Sequence, residues 1–191
     1  MLAYIKGILA MKMTGYIVID VGGLGYKVFM SDSGIEKLGN IGSETKVHTH
    51  YKVREDDISI FGFNTLEELK MFELLIGVSG VGAKTALAML AVCEPSEFAL
   101  AVITEDVNTL KQIPGIGPKS AQRIILELKD KIKQEQEIEA IKNNDKLDEA
   151  IAALQVLGYN RKEIEKNLQK LNIKDMTIEE IIKKALIELS K

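Results

Sequence analysis

Tryptophan is absent from this chain of 191 residues, cysteine occurs once, histidine twice and proline three times. A single cysteine, Cys93, excludes an internal disulfide framework and fits a reducing compartment. It follows Leu90-Ala91-Val92 in an apolar stretch and is expected to be a small buried hydrophobe. Without tryptophan, and with only five tyrosines and five phenylalanines, the chain has few platforms on which unpaired bases could stack. No run approaches the roughly 18 apolar residues needed to span a bilayer. Lys6 precedes a short apolar run broken by Lys12, with no small-residue cleavage pattern, so no signal peptide and a cytoplasmic location are expected. The formal net charge of −3 is not that of a strongly basic binder; a locally basic or amide-rich face can still coexist with an acidic remainder. No enzyme site assembles. His48 and His50 share one strand face without acids or cysteines nearby, and no metal or cofactor is expected. Their neighbours Lys52 and Arg54 suggest a polar or DNA-facing surface instead.

What is present begins as β structure. Tyr16 to Val21 alternates, with Ile17, Ile19 and Val21 on one face, and Gly22-Gly23-Leu24-Gly25 punctuates before a second apolar run from Tyr26 to Met30. Val47, Thr49, Tyr51 and Val53 point opposite to His48, His50, Lys52 and Arg54. Glu55-Asp56-Asp57 then separates that strand from a run between Ile58 and Phe63. Five or so short strands in residues 1–63 predict a small closed barrel, because that length cannot fill two large sheets.

The register changes at Asn64. Thr65-x-x-Glu68 is a capping-box pattern, and short helices broken by glycine-rich turns follow to about Lys133. Residues 134–146 are polar and read as a helix tail running into a linker. From 147 to 191 helical periodicity restarts in three stripes: Leu147, Ile151 and Leu154; Ile164, Leu168 and Leu171; Ile178, Ile182, Ala185 and Leu189. Gly158 ends the first, and Thr177-x-x-Glu180 caps the last, predicting a small three-helix bundle that binds partners.

The strongest signal is an internal repeat. Val78-Ser79-Gly80-Val81-Gly82-Ala83-Lys84-Thr85-Ala86 matches Ile113-Pro114-Gly115-Ile116-Gly117-Pro118-Lys119-Ser120-Ala121 at a constant spacing of 35 residues. Leu75 and Leu110, and Leu90 and Ile125, extend the match into the flanking helices. A Gly-hydrophobic-Gly turn opens backbone conformations closed to other residues, while Val81 or Ile116 anchors the turn and Ala86 or Ala121 keeps the helices close. The helix that follows presents unpaired N–H groups and the positive end of its dipole, to which a phosphate can bind without any side chain. Lys84 and Lys119 stand in the first helical turn, where a cation is poor for an isolated helix but sensible beside a bound anion. Two alternatives stand beside this reading. Gly77-x-x-x-x-Gly82-Ala83-Lys84-Thr85 nearly fits a nucleotide-binding P-loop, with one residue too many and a helical segment before it. The bland reading is two packing units with glycine caps. The repeated unit is the helix-hairpin-helix, whose paired form contacts backbone on both strands and does not read bases.

Barrel, paired hairpins and helical tail, in that order, resemble the RuvA family of Holliday-junction-binding subunits over essentially the whole chain. The most specific pieces are Val21-Gly22-Gly23-Leu24-Gly25-Tyr26, Val53-Arg54-Glu55-Asp56, Gly62-Phe63, both hairpins, and Leu157-Gly158-Tyr159. The resemblance implies a multi-domain α+β fold: an N-terminal OB-fold barrel (1–63), a tandem helix-hairpin-helix domain (64–133), a linker (134–146) and a UBA-like three-helix bundle (147–191). It implies a homotetramer with a flat DNA face, one or two tetramers holding a four-way junction open. It also implies the hexameric ATPase RuvB as motor partner and the resolvase RuvC as a further one. Phosphates would be held by Gly80, Gly82, Lys84, Gly115, Gly117, Lys119 and Arg123, with Arg54 as an additional DNA-facing residue. Glu55 and Asp56 match an acidic pin; read alone, they are a solvated hairpin turn. Leu154, Leu157 and Tyr159 fall at motor-binding positions, although the leucines read equally as bundle core. Pro118 stands where some relatives carry a second basic residue, and Phe29 where histidine can stand.

Two rivals share these features. A repair nuclease or glycosylase uses the same hairpins but needs an acid cluster or a lysine–aspartate pair, and Asp106 has no obvious partner. An interaction scaffold would use its barrel for single strands or RNA.

Overall fold

The computed structural model describes residues 2–55, 57–168, 173 and 176–189, with backbone alone across 136–144. The described chain divides into two compact units, Met1–Lys131 and Ile132–Lys191.

Five strands form the first part of unit 1: β1 (Tyr4–Met13), β2 (Tyr16–Val21), β3 (Leu24–Phe29), β4 (Glu44–Val53) and β5 (Ile58–Phe63). They close into a barrel in the order β1-β2-β3-β5-β4, antiparallel throughout except where β3 meets β5. The period-2 pattern decides what fills it. Ile17, Ile19, Val28 and Val47 have no exposed surface, and Ile5, Leu9, Met30 and Ile35 complete the core. Val21, on the same face of β2 by alternation, emerges at the rim and is exposed. The glycines after it adopt φ 63° and 91° at Gly22 and Gly23, and Asp20 Oδ1 accepts from the Gly23 amide. β1 carries a register shift against β2 between Leu9 and Met11, so its alternation is broken and the strand is hard to see in sequence. A short helix, α1 (Asp32–Glu36), bridges towards β4.

The outer face of β4 and β5 is covered by α2 (Leu66–Ile76). Phe72, fully buried, stacks at 5.3 Å on Phe61 and at 4.8 Å on Phe63, and His50 meets the same ring edge-on. This aromatic contact is why the barrel and the hairpin region, which the sequence pattern separates, form one unit. Thr65 caps α2 by accepting from the Glu68 amide, while Glu68 reaches back to the amide of Asn64, one residue before the expected partner. α3 (Ala83–Val92), α4 (Pro95–Ile103), α5 (Val107–Lys111) and the start of α6 (Pro118–Val156) complete the unit around Leu75, Met89, Phe98, Val102, Leu110, Ile124 and Leu128. Helical backbone in α6 continues through residues 134–146, which contain neither glycine nor proline to stop it.

In unit 2 the end of α6, α7 (Arg161–Leu168) and α8 (Ile178–Leu189) enclose Ala150, Ile151, Leu154, Ile164, Leu168, Ile181 and Ala185. α6 stops in a Schellman motif at Gly158 (φ 94°): its amide bonds to Gln155 O, and that of Tyr159 to Leu154 O. The Thr177–Glu180 capping box forms with both reciprocal bonds. Leu171 lies outside the described residues. No single described helix is long and apolar enough to cross a membrane. The bent pair α3 and α4 passes such a test only jointly, turns by 100° between them, and buries Ala86, Met89, Phe98 and Val102.

Candidate nucleic-acid interface

The sequence repeat is a repeat of backbone geometry. Four turn and cap hydrogen bonds recur 35 residues apart: Gly77 to Leu74 and Gln112 to Thr109, Val78 to Leu75 and Ile113 to Leu110, Val81 to Val78 and Ile116 to Ile113, Ala86 to Gly82 and Ala121 to Gly117. Gly80 and Gly115 hold φ of 87° and 86°, a conformation costly for any residue with a Cβ. Val78 and Ile113 anchor the turns from inside, and Ala86 and Ala121, with no exposed surface, let the helices meet closely. Ile116 is buried as expected, whereas Val81 is only half-buried. Because a helix, α2, precedes the first turn, the strand–loop–helix frame of a P-loop is missing.

Gly82 and Gly117 differ from their neighbours. Neither has a positive φ, and a Cβ built on either meets nothing within 4 Å. Neither backbone strain nor crowding calls for glycine there, although glycine suits the N-cap position that Gly82 holds. Gly82 caps α3 without a side-chain bond, so the first amides of that helix have no partner within it. Every described helix but three carries an acid in its first turn; the exceptions are α3, α5 and α6, and α5 has Asp106 as its N-cap. At α3 and α6 the first turn holds exposed Lys84 and Lys119 instead. A first-turn cation costs roughly 0.3–1 kcal/mol at an isolated helix. Both hairpin helices therefore leave an electropositive, side-chain-poor tip in solvent, suited to an anion. Pro118 occupies the first helical position of α6, where its fixed φ helps the helix but removes one amide.

A cleft of about 750 Å³ lies between the barrel and α3, with Lys84 of the first hairpin and Asp32 and Asp57 of the barrel among its walls. Lys84 and Pro114, from the two hairpins, line it with Asp57 from the β4–β5 turn, Ser59 from β5 and Phe29 from β3. That turn is braced by the Arg54 amide bonding to Asp57 O and by Ser59 Oγ donating to Asp57 Oδ2 at 2.6 Å. Arg54 and Glu55 are exposed on it, and Asp56 lies outside the described residues. Phe29 packs on Tyr16 and Phe61, with Lys27 Nζ over both the Tyr16 and Phe29 rings. Its place is structural as well as superficial.

Several expected site residues sit differently. His50 lies on the outer face of the barrel but under α2 and not in open solvent: its Nδ1 pairs with Glu73 Oε1 at 3.0 Å, joining β4 to α2. Burial and the charge on Lys46 push the His48 imidazole below its usual value, so it stays neutral near pH 7. Arg123 is exposed, and its Nη1 donates to Ser79 O at 3.2 Å. Cys93 is half-buried and not fully enclosed, because it caps the end of α3; burial, then Glu97 and Glu94, raise its thiol pKa and keep it protonated. Asp106, seemingly unpartnered, accepts from the amides of Asn108 and Thr109 and from the Thr109 hydroxyl. In unit 2, Leu154 has no exposed surface and belongs to the core, Leu157 is 59% exposed, and Tyr159 packs half-buried against the core. Among the described residues no three His, Cys, Asp or Glu side chains gather as a metal site.

Three family models match the chain in order: the RuvA N-terminal domain over residues 1–62, a SAM-like helix-hairpin-helix tandem over 72–130, and the RuvA C-terminal domain over 145–190. The chain belongs to the RuvA family. A relative from Acetivibrio thermocellus is 49% identical over the full length of both chains. Relatives from Ruminiclostridium cellulolyticum (45%, covering 99% of this chain and all of its own) and Clostridium botulinum (44%, covering all of both) are similar throughout. Each is named as the RuvA subunit of the Holliday junction branch migration complex. The closed five-stranded barrel, the helical hairpins and the terminal helices are the RuvA architecture expected from the sequence.

Proposed function

We propose that this chain binds four-way junction DNA by its phosphate backbone and serves as the junction-holding subunit of a branch-migration machine. The observation that carries the reading is the pair of tips at Gly80–Lys84 and Gly115–Lys119. Their backbone is duplicated, their helices carry no acid in the first turn, and their outer glycines leave open space that a partner could approach. Two tips of one geometry suit two phosphates and no particular base, so sequence is not read. Selectivity for a branch then comes from how several copies array their tips in a homotetramer. Val92, Leu100 and Leu126, apolar and exposed, offer surface for assembly.

Glu55 and Asp56 act as the acidic pin. Carboxylates on a phosphate-binding face repel continuous duplex, by several tenths to a few kcal/mol each depending on distance and screening, and part strands into adjacent arms. Arg54 offsets that repulsion at the base of the turn. Arg123 adds phosphate contact through the guanidinium donors its bond to Ser79 leaves over. The chain performs no chemistry of its own; strand movement draws on ATP hydrolysis in RuvB. The 147–191 bundle docks that motor through Leu157 and Tyr159, with Leu154 supporting them from beneath, and RuvC joins to resolve the junction.

A gel-shift titration with a synthetic four-way junction and linear duplex of equal sequence tests the reading. Purified protein should retard the junction at far lower concentration, without cutting either DNA in magnesium. Equal retardation of both refutes junction specificity. Cleavage would favour the repair-enzyme alternative.

A further inference from the structure

The two hairpins share a backbone but are not held in the same way. In the first turn Ser79 has an amide hydrogen; at the matching place in the second, Pro114 has none. The Ser79 amide donates to Glu127 Oε2 at 3.3 Å, and the Ser79 carbonyl accepts from Arg123 Nη1 at 3.2 Å. Both partners stand on α6, the helix of the second hairpin, four residues apart and hence on one face. Their counterparts on α3 are Ala88 and Val92, which can neither donate nor accept through a side chain. The clasp therefore runs one way, from the second hairpin to the first. It grips the residue beside Gly80, whose positive φ forms the tip, and the Arg123 guanidinium lies 3.8 Å from where a Gly80 Cβ would be. In return, among the described residues Thr85 comes within 4 Å of the corresponding point at Gly115, through a methyl group at 3.9 Å.

We propose that Arg123 and Glu127 are positioning residues that hold the first hairpin's turn at a set distance from the second, so that both tips meet phosphates together. This rests on the phosphate-grip reading. Glu127 makes the proposal sharp because its charge has the wrong sign for DNA. Deleting a carboxylate near a phosphate site tightens binding if charge alone matters. The clasp requires the opposite.

The test measures affinity of the full chain for a synthetic four-way junction by fluorescence anisotropy, with thermal unfolding as a control for folding. Glu127→Ala should weaken binding on the order of tenfold, the scale of removing a charge-assisted hydrogen bond. Glu127→Gln, which keeps an acceptor for the Ser79 amide, should stay within about threefold of the parent. Ser79→Pro gives the first turn the residue of the second and removes the amide that needs an acceptor. Added to Glu127→Ala, it should restore most of the affinity. Unchanged or tighter binding by Glu127→Ala overturns the clasp, as does failure of both Glu127→Gln and the Ser79→Pro combination to bind better than Glu127→Ala. Lys84→Ala, run alongside, separates the two readings. If it leaves junction affinity intact the phosphate grip itself is wrong; if it weakens binding while Glu127→Ala does not, only the clasp fails.

Discussion

Gly80 and Gly115 lie 35 residues apart and share one backbone conformation, with φ of 87° and 86°. Gly82 and Gly117, two residues further on in each copy, share something else: open space where a side chain would go. The backbone conformation demands glycine at the inner pair and does not at the outer pair.

That division predicts two classes of variant. Gly80→Ala or Gly115→Ala should lower stability by about 1–2 kcal/mol each, the cost of a Cβ in the left-handed region. Gly82→Ala or Gly117→Ala should cost less, about 0.5 kcal/mol because alanine caps a helix more poorly than glycine, and should weaken DNA binding. Denaturant titration paired with junction binding checks both, and a stability loss at Gly82 equal to that at Gly80 would contradict the division.

Lys84→Ala and Lys119→Ala should weaken junction and linear duplex by similar factors. Each should also reduce the slope of log affinity against log salt by roughly 0.9 for every phosphate it no longer neutralises. Weakening confined to one DNA shape would point to a role other than backbone grip.

Glu55→Gln combined with Asp56→Asn should strengthen binding to linear duplex and narrow the preference for junctions. A competition titration of the two DNAs reads the ratio directly. An unchanged ratio removes the pin from the mechanism.

Asp106 gives a pH prediction. Hydrogen bonds from the Thr109 hydroxyl and amide, then from the Asn108 amide, hold its carboxyl below the ordinary aspartate value. A carboxyl depressed in the folded state contributes stability that is complete above its unfolded value of about 3.9 and fades as pH falls through the lower folded one. Asp106→Ala should thus melt at a lower temperature than the parent at pH 7, and the gap should narrow in acid. Melting curves at both pH values check it; a constant gap would show that the carboxylate's charge contributes nothing.

In the terminal bundle, Leu154→Ala should cost about 2–5 kcal/mol, as for a fully buried leucine, while Leu157→Ala should scarcely affect stability. Loss of motor binding by Leu157→Ala in a pull-down with RuvB, with its melting temperature intact, would mark the docking surface; retained binding would exclude Leu157 from it.

Local rules make much of this fold legible in the amino-acid order. The Thr65–Glu68 and Thr177–Glu180 caps, the β2–β3 turn and the duplicated hairpins are all written within a few residues of one another, where side-chain chemistry acts on neighbouring backbone. What escapes is non-local. The bulge in β1 hides its period, and His50 looks solvent-facing until Phe72 and Glu73 arrive from α2. Leu154 and Leu157 are both plausible stripe members, and only the packing of three helices decides which is inside. The Ser79–Glu127 bond joins residues 48 positions apart, and its traces in the sequence are a serine where the other copy has proline and a glutamate where the other copy has valine.

That serine-for-proline difference bears on modularity. With Pro114 and Pro118 the second hairpin carries its own restraint, whereas the first borrows restraint from a helix that belongs to the other. Grafted onto a foreign scaffold, the later hairpin has the means to keep its shape, and the earlier one leaves its clasp behind. Two units of common backbone design are thus held unequally, one supplying hydrogen bonds and the other receiving them.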